Sequence, residues 1–356
     1  MKKVLLILIT VLMIGLPAAA YDFGGSADVS GTLSAGEETT ISPSVKMTGW
    51  TKVPFERGSF SAEAYYKLNG KVYQDATELN NIVDLSLLKV SFALNDSISM
   101  NVGRYSFSDV TSSIFATTSD GVNASLNSGL LKIGVYVGYT GLQNGNTSGV
   151  GLSADSDSDS VYPLAAKNVL FLANVAAPNF LGGNTFTLEG LGALNMEEGD
   201  DAFNSFYGTL SAAGPVTTSV YYSASVTGSF FTKDADNAGV YSSAGITAYL
   251  PYKSMSVGVT GSFGSKNFVP VSATGAGAAI KGGVSATIKP LDSLLCLATF
   301  DITSDTLNEE NSASWTALAK WQALSDVSAN LTLNQDIPLS GGKSTFTATA
   351  GVTVSF

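Results

Sequence analysis

The sequence predicts an all-β chain closed into an antiparallel transmembrane barrel. Three observations carry that prediction. A two-residue alternation of apolar and small polar side chains recurs along almost the whole length. The connections between alternating segments are short and long in turn. The first twenty residues read as an export signal rather than as part of a fold.

The export signal comes first. Lys2 and Lys3 form a positive start, Val4 to Gly15 an apolar stretch too short to cross a bilayer, and Pro17-Ala18-Ala19-Ala20 a small-residue cleavage site. Cleavage is expected after Ala20, so residues 1–20 are assigned to a signal peptide and 21–356 to the barrel. Removing Lys2 and Lys3 from the 18 Lys+Arg leaves 16 against 29 Asp+Glu, a mature charge of −13. That balance excludes nucleic acid as a partner, because phosphate binding needs basic clusters. The single Cys296 excludes an intrachain disulfide framework. Charged residues are only 13% of the chain and apolar ones 45%, yet no run of 18 apolar residues follows the signal, so helical spans are not expected. Inside hydrocarbon every backbone group must be paired, and a closed sheet is the only β solution.

The segments then follow in order. Segment 34–38 is read as the first outer loop and 51–57 as an unusually long inner turn. Asp84 and Ser86 alternate with Val83, Leu85 and Leu87. The phase slips between Leu87 and Leu88, which predicts a bulge. Ile133, Val135, Val137 and Tyr139 alternate with Gly134, Tyr136 and Gly138. Val220, Tyr222, Ala224 and Val226 alternate with small polar residues, as do Met255, Val257 and Val259. Ala313, Trp315, Ala317, Ala319 and Trp321 share one face. The last segment is the most regular, with Phe346, Ala348, Ala350, Val352, Val354 and Phe356 opposite Thr345, Thr347, Thr349, Gly351, Thr353 and Ser355.

Short turns are expected near 94–96, 127–129, 181–184, 213–215, 251–253, 290–292 and 325–326. Longer polar connections are expected at 69–81, 106–119, 141–166, 196–204, 231–239, 264–276, 303–311 and 335–343. This gives about 18 strands with both ends on the periplasmic side, or 16 if the weakly patterned segments 39–50 and 205–212 are not strands. The run Asp155-Ser156-Asp157-Ser158-Asp159-Ser160 is read as a solvated loop tip, since it lacks the Gly and terminal Glu of a calcium loop.

Phe356, closing an alternating strand, resembles the C-terminal signature of bacterial outer-membrane barrels. In that family the terminal aromatic is recognised by the barrel-assembly machinery. Val102-Gly103-Arg104-Tyr105-Ser106-Phe107-Ser108-Asp109, followed by Asp120-Gly121, resembles general porins, where an outward strand leads into a loop folded into the lumen. The Ser/Thr/Ala/Gly-rich texture without His is similar to porin-like barrels of spirochaetes. The resemblance implies residence in the outer membrane, small hydrophilic solutes as cargo and a lumen narrowed by segment 106–119. Many porins are trimers, although no sequence feature here marks a subunit interface.

Alternation places Glu63, Lys67, Lys89, Lys132, Glu189, Lys281, Asp301 and Lys320 on the inner face. A Lys facing lipid at mid-depth costs about 2–4 kcal/mol, whereas a wet lumen accepts it at little cost. They are therefore candidate pore-lining groups, joined by Arg104 and Asp109 at the constriction. Arg104 shares parity with Ile98, Met100 and Val102, which points it at lipid unless Gly103 turns the strand; the alternative is a rim position with the side chain snorkelling. Trp50, Trp315, Trp321, Tyr139, Tyr241 and Tyr252 are read as interfacial girdle. Acidic loops favour cations, a preference limited by screening over ~8–10 Å. With no His in the chain, the hydrolase and acyltransferase chemistries of barrel enzymes lack their base. No cofactor or metal is expected; Cys296, among Leu295, Leu297 and Phe300, is read as a small apolar wall residue. The reading is a passive diffusion pore. The alternative is a surface adhesin or structural barrel acting through loops such as 141–166.

Overall fold

The computed structural model describes residues 22–73, 77–148, 162–196, 204–232, 238–271, 277–305 and 310–356. The expected signal peptide and the Asp155–Ser160 run lie outside the described residues. The chain forms one sheet of 18 antiparallel strands, each paired with the next in sequence, from β1 (Asp22–Ala35) to β18 (Thr345–Ser355). β1 pairs with both β2 and β18, so the sheet closes on itself, with the fourth and fifth strands parting only beyond the Leu88↔Arg104 pair. The last residue takes part in the closure: Phe356 N–H donates to the Gly25 carbonyl at 3.0 Å, and Gly25 N–H to that of Phe356 at 2.8 Å. Both ends of the barrel chain therefore sit at the end of the short turns.

The weak segments are strands, β2 (Thr39–Phe55) and β10 (Ser205–Thr217), which makes the number 18 and removes the 16-strand option. Several expected connections are shorter than their polarity suggested. The expected long turn at 51–57 is only 56–57, because β2 and β3 (Gly58–Val72) stay paired to Phe55↔Gly58. The expected loop 69–81 shrinks to 73–76, since β3 and β4 (Thr77–Ala93) remain laddered to Val72↔Thr77. Both faces are polar there, which mimics a loop in sequence. Pro215 and Pro290 lie within strands rather than turns, at register irregularities of β10 and of β14 (Ala279–Leu291). A residue without a backbone N–H is tolerated at such places.

The expected bulge is present one residue from where the phase slips. Glu63 faces Leu87 and Ala64 faces Leu85, so Ser86 is the extra residue. Its hydroxyl donates to Glu63 Oε1 at 2.6 Å. At 181–183, Gly182 (φ 77°) and Gly183 (φ 89°) take left-handed conformations that a side chain would strain.

Pairing fixes the two faces, because residues directly opposite each other share a face. Val29, Val352, Leu331 and Val259 are exposed on the outside, as bilayer contact requires. Ser30, Gly351, Asn330 and Lys320 are successive partners on the inside. Adjacent positions should therefore respond oppositely to the same charge. Leu331→Arg is expected to destabilise the refolded barrel by about 2–4 kcal/mol, and Thr332→Arg by close to nothing. Urea unfolding in lipid vesicles measures both.

Candidate lumen and constriction

All eight charges assigned to the inner face by alternation fall on the face that pairing traces as internal. Lys67 pairs with Lys46, and both line an open cavity of about 1060 Å³ with Asp28, Ser30, Asn69 and Glu78. Glu63 and Lys89 follow on β3 and β4. Lys132 lies on β7 (Lys132–Tyr139), Lys281 on β14, Asp301 on β15 (Leu294–Asp305) and Lys320 on β16 (Asn311–Gln322). Among the described residues the ion pairs both involve Arg104, at 2.7 Å from Asp120 and 3.8 Å from Asp84. Among the described residues the inner lysines have no carboxylate within that reach. Lys46 Nζ instead stands 4.3 Å from the centre of the Tyr65 ring, and Lys89 Nζ 5.8 Å from that of Tyr105, favourable cation–π geometry.

Glu189, on β9 (Asn184–Asn195), also faces inward, but it does not line open water. It is 2% exposed and accepts from the Val110 backbone N–H at 2.9 Å and from Asn174 Nδ2 at 3.2 Å. Val110 belongs to the 109–115 connection between β5 (Ile98–Ser108) and β6 (Ala116–Asn127), so Glu189 ties that connection to the far wall. Ile114 and Phe115, 0% and 1% exposed, pack on the inward Tyr136, Leu170, Leu172 and Leu191. The connection thus lies inside the barrel, as the resemblance implied. Asp109 is its hub. One carboxylate oxygen accepts from the Ile114 and Phe115 N–H groups at 2.9 and 2.7 Å, the other from Thr111 N–H and hydroxyl at 3.0 and 2.6 Å. Asp109 therefore shapes the constriction from within, its oxygens taken by its own loop rather than offered to solute.

A second inward loop lies where the sequence predicts a polar connection at 264–276. Residues 265–271, after β13 (Met255–Gly264), bring Phe268 into a stack with Tyr241 at 5.4 Å and an edge contact with Tyr207 at 6.2 Å. The Tyr207 hydroxyl donates to the Val269 carbonyl at 2.7 Å. The signal was Phe268-Val269-Pro270-Val271, apolar residues that a solvated loop has no reason to carry. Tyr241 is accordingly an internal packing residue and not part of the girdle. Trp50, paired with Glu63, also faces inward. Tyr139, Trp315 and Trp321 face outward. The two loops fill the side from β7 to β12 (Gly239–Leu250), and the open cavity lies toward β1–β4.

Arg104 departs from its parity. Gly103 takes φ 119°, and the guanidinium is 6% exposed. It donates two parallel bonds to Asp120 (2.9 and 2.7 Å), and further bonds to the carbonyls of Leu85 (3.3 Å) and Leu142 (2.7 Å) and to the Tyr162 hydroxyl (2.8 Å). It is neither a lipid-facing group nor a free pore charge; it fills the space where β4 and β5 part. Burial pushes the loop phenol of Tyr162 above its ordinary value against the opposing guanidinium, so the hydroxyl stays protonated and donates to the Leu142 carbonyl.

No protein-family model matches the chain, and no curated protein matches its sequence. Solved structures do match in fold. Pseudomonas aeruginosa OccK7 (OpdD) superposes with a TM-score of 0.62 at 8% identity, over 95% of this chain and 99% of that one. OccK11 (OpdR) of the same organism gives 0.61 at 9%, over 94% and 96%. Acinetobacter baumannii OccAB4 gives 0.61 at 10%, over 95% and 99%. At such identities the likeness shows a shared 18-strand barrel architecture. It lends no support to the spirochaete placement.

Replacing Asp109 by Ala removes the acceptor for five loop donors, the Thr111 N–H and hydroxyl and the Ser113, Ile114 and Phe115 N–H groups. Hydrogen exchange should show the Ile114 and Phe115 amides losing protection worth about 1.5–3 kcal/mol each, as expected for bonds to a charged acceptor. Strand amides of β8 (Asn168–Phe180) should be unaffected.

Proposed function

We propose that the chain is an outer-membrane channel through which small hydrophilic solutes and ions diffuse passively. The observation that carries this reading is the inner wall. It is closed, it is lined by Ser, Thr, Asn and lysines that form no ion pair among the described residues, and it leaves a cavity of about 1060 Å³ beside the inward loops. Side chains fill a barrel of eight strands, whereas larger ones hold water. The outward face meets lipid, and the fold shared with OccK7, OccK11 and OccAB4 supports a membrane location for this chain. No catalytic role is assigned to any residue.

The supporting steps belong to the same reading. The chain is exported, cleaved after Ala20 and inserted by assembly machinery that reads Phe356, whose side chain is 82% exposed. Glu63, Lys67, Lys89, Lys132, Lys281, Asp301 and Lys320 tune which ions pass. Glu189, Asp109 and Arg104 hold the wall and loop that set the bore. A homotrimer is the assembly this reading carries, testable by cross-linking in native membranes.

The adhesin alternative is disfavoured by the ends of the longest connection. Residues 140–148 and 162–167 are bonded into the wall, with Asn144 Nδ2 donating to the Val83 carbonyl at 3.0 Å and Thr147 to Asp84 at 2.6 Å. Such anchoring suits a wall element better than a projecting receptor-binding loop.

Planar bilayers test the proposal. Discrete, voltage-driven conductance steps are expected from the purified folded chain; a folded chain that never conducts would overturn it. Lys46→Glu with Lys67→Glu should move the zero-current potential toward cation preference. That shift should shrink from 0.1 to ~1 M salt, as the screening length falls from ~10 to ~3 Å.

A further inference from the structure

The wet side of the lumen carries an unbalanced pair of charges. Lys46 on β2 and Lys67 on β3 stand directly opposite each other, where like charges destabilise a sheet. Neither is relieved by its other facing neighbour. Lys67 faces Ile82 on β4, which is apolar and buried. Lys46 faces Asp28 on β1, yet its ammonium leans the opposite way, over the Tyr65 ring of β3. Asp28 instead accepts from the Thr353 hydroxyl at 2.5 Å, and among the described residues neither ammonium forms an ion pair. Lys71, further out, is different. It faces Glu78, and its ammonium lies 4.7 Å from the centre of the Tyr73 ring, whose hydroxyl donates to Glu78 at 3.5 Å. That group balances itself, and the Lys46–Lys67 pair does not.

Neutral donors surround the pair. The Ser44 hydroxyl donates to Asn69 Oδ1 at 2.9 Å, which commits the oxygen of that amide and leaves its two Nδ2 hydrogens to be donated elsewhere. Ser30, Ser42 and Asn80 line the same cavity of about 1060 Å³, far more room than a single ion fills. The height of the pair follows from its outward neighbour. Tyr66, between Tyr65 and Lys67, is exposed on the outer face and donates to the outward Asn81 at 2.5 Å. An outward aromatic bonded to an outward amide marks the level where hydrocarbon gives way to polar headgroups. The two lysines therefore stand at the outer mouth of the lumen, where a solute arriving from outside meets the wall first.

One ligand with two negative charges relieves such a pair. A chloride or a monocarboxylate neutralises one ammonium and leaves the other facing it. A phosphate ester carries about −1.5 to −2 charge at neutral pH and offers three acceptor oxygens, enough for both ammonium groups and Asn69 Nδ2. Lysine meets phosphate as a point charge, and bonds between such charged partners are about twice as strong as neutral ones. We infer that Lys46, Lys67 and Asn69 form a capture site for phosphate-bearing small solutes, either inorganic phosphate or the phosphate of a small phosphomonoester. The inference rests on the channel reading and narrows its substrate class.

Calorimetry on the full refolded chain in detergent measures the site without requiring conductance. The chain is titrated separately with inorganic phosphate, glycerol 3-phosphate, sulfate and acetate. At neutral pH the better of the two phosphates should bind at least about tenfold more tightly than acetate, the worth of one further charge-assisted bond. Tighter binding of glycerol 3-phosphate identifies the ester as the ligand, and tighter binding of inorganic phosphate the free ion. Lys46→Gln and Lys67→Gln should each weaken phosphate binding about tenfold by the same bond, and Lys71→Gln should leave it unchanged. At about pH 5 the phosphomonoester becomes a monoanion, and its binding should weaken severalfold. Sulfate, a dianion at both pH values, should keep its affinity and controls for titration of the nearby Asp28, Glu78 and Asp84. Acetate bound as tightly as phosphate, or phosphate affinity unchanged in both Gln variants, would overturn the site. Conductance in planar bilayers without phosphate binding would remove the site and keep the pore; binding without conductance would do the reverse.

Discussion

Everything in this molecule depends on backbone pairing in a medium without water. A peptide N–H or C=O left open in hydrocarbon costs several kcal/mol, so a sheet that crosses a bilayer must have no edge. The β1–β18 ladder meets that requirement, and the Gly25–Phe356 bonds extend it to the last residue. Once the sheet is closed, the two-residue period decides the rest. One face must be greasy because it meets acyl chains, and the other is free to be polar because it encloses solvent. The lysines on the inner wall are tolerable for that reason, and they are also what an ion passing through would feel.

The lumen is asymmetric, and the asymmetry has a physical cause. A loop that enters a wet barrel needs apolar surface to lie on. β8 to β12 supply it with Leu170, Leu172, Leu191, Tyr207, Phe231 and Tyr241 facing inward. Asp109 folds the first loop onto this patch, Glu189 pins it, and Phe268 seats the second. The bore is left on the side where Asp28, Ser30, Lys46 and Lys67 stand. Constriction and conduit therefore come from one division of the inner wall into a dry sector and a wet one. The same economy shows at Arg104, where a charge that would be costly in lipid is enclosed by a carboxylate, two carbonyls and a phenol.

Most of the architecture was legible because period-two alternation is a direct image of a strand with two solvents. Strand number, the slip beside Leu88 and the inner phase of eight charges all follow from it, while the inward loop after β5 was implied by the resemblance to general porins. What was not legible arose where that image fails. Strand ends beyond the bilayer are polar on both faces, so 69–81 reads as loop although β3 and β4 run to residues 72 and 77. Pro215 and Pro290 read as turn residues, yet pairing continues past each to Thr217↔Val220 and Leu291↔Leu294. Trp50 and Tyr241 read as girdle because an aromatic near a strand end looks alike whether it faces lipid or lumen. Arg104 was ambiguous because one left-handed glycine undoes parity, and its partners Leu142 and Tyr162 are distant in sequence.

The central claim is that alternate residues face water and lipid around a closed wall. The most direct measurement is a cysteine scan along β2 in a Cys296→Ala background, with a membrane-impermeant thiol reagent applied to the chain in sealed bilayers. Positions 48, 50 and 52 should react rapidly, and 49, 51 and 53, below the level of Tyr66 on the outer face, should be protected. Uniform reactivity, or protection on both faces as in a sheet with an oily interior, would contradict the account.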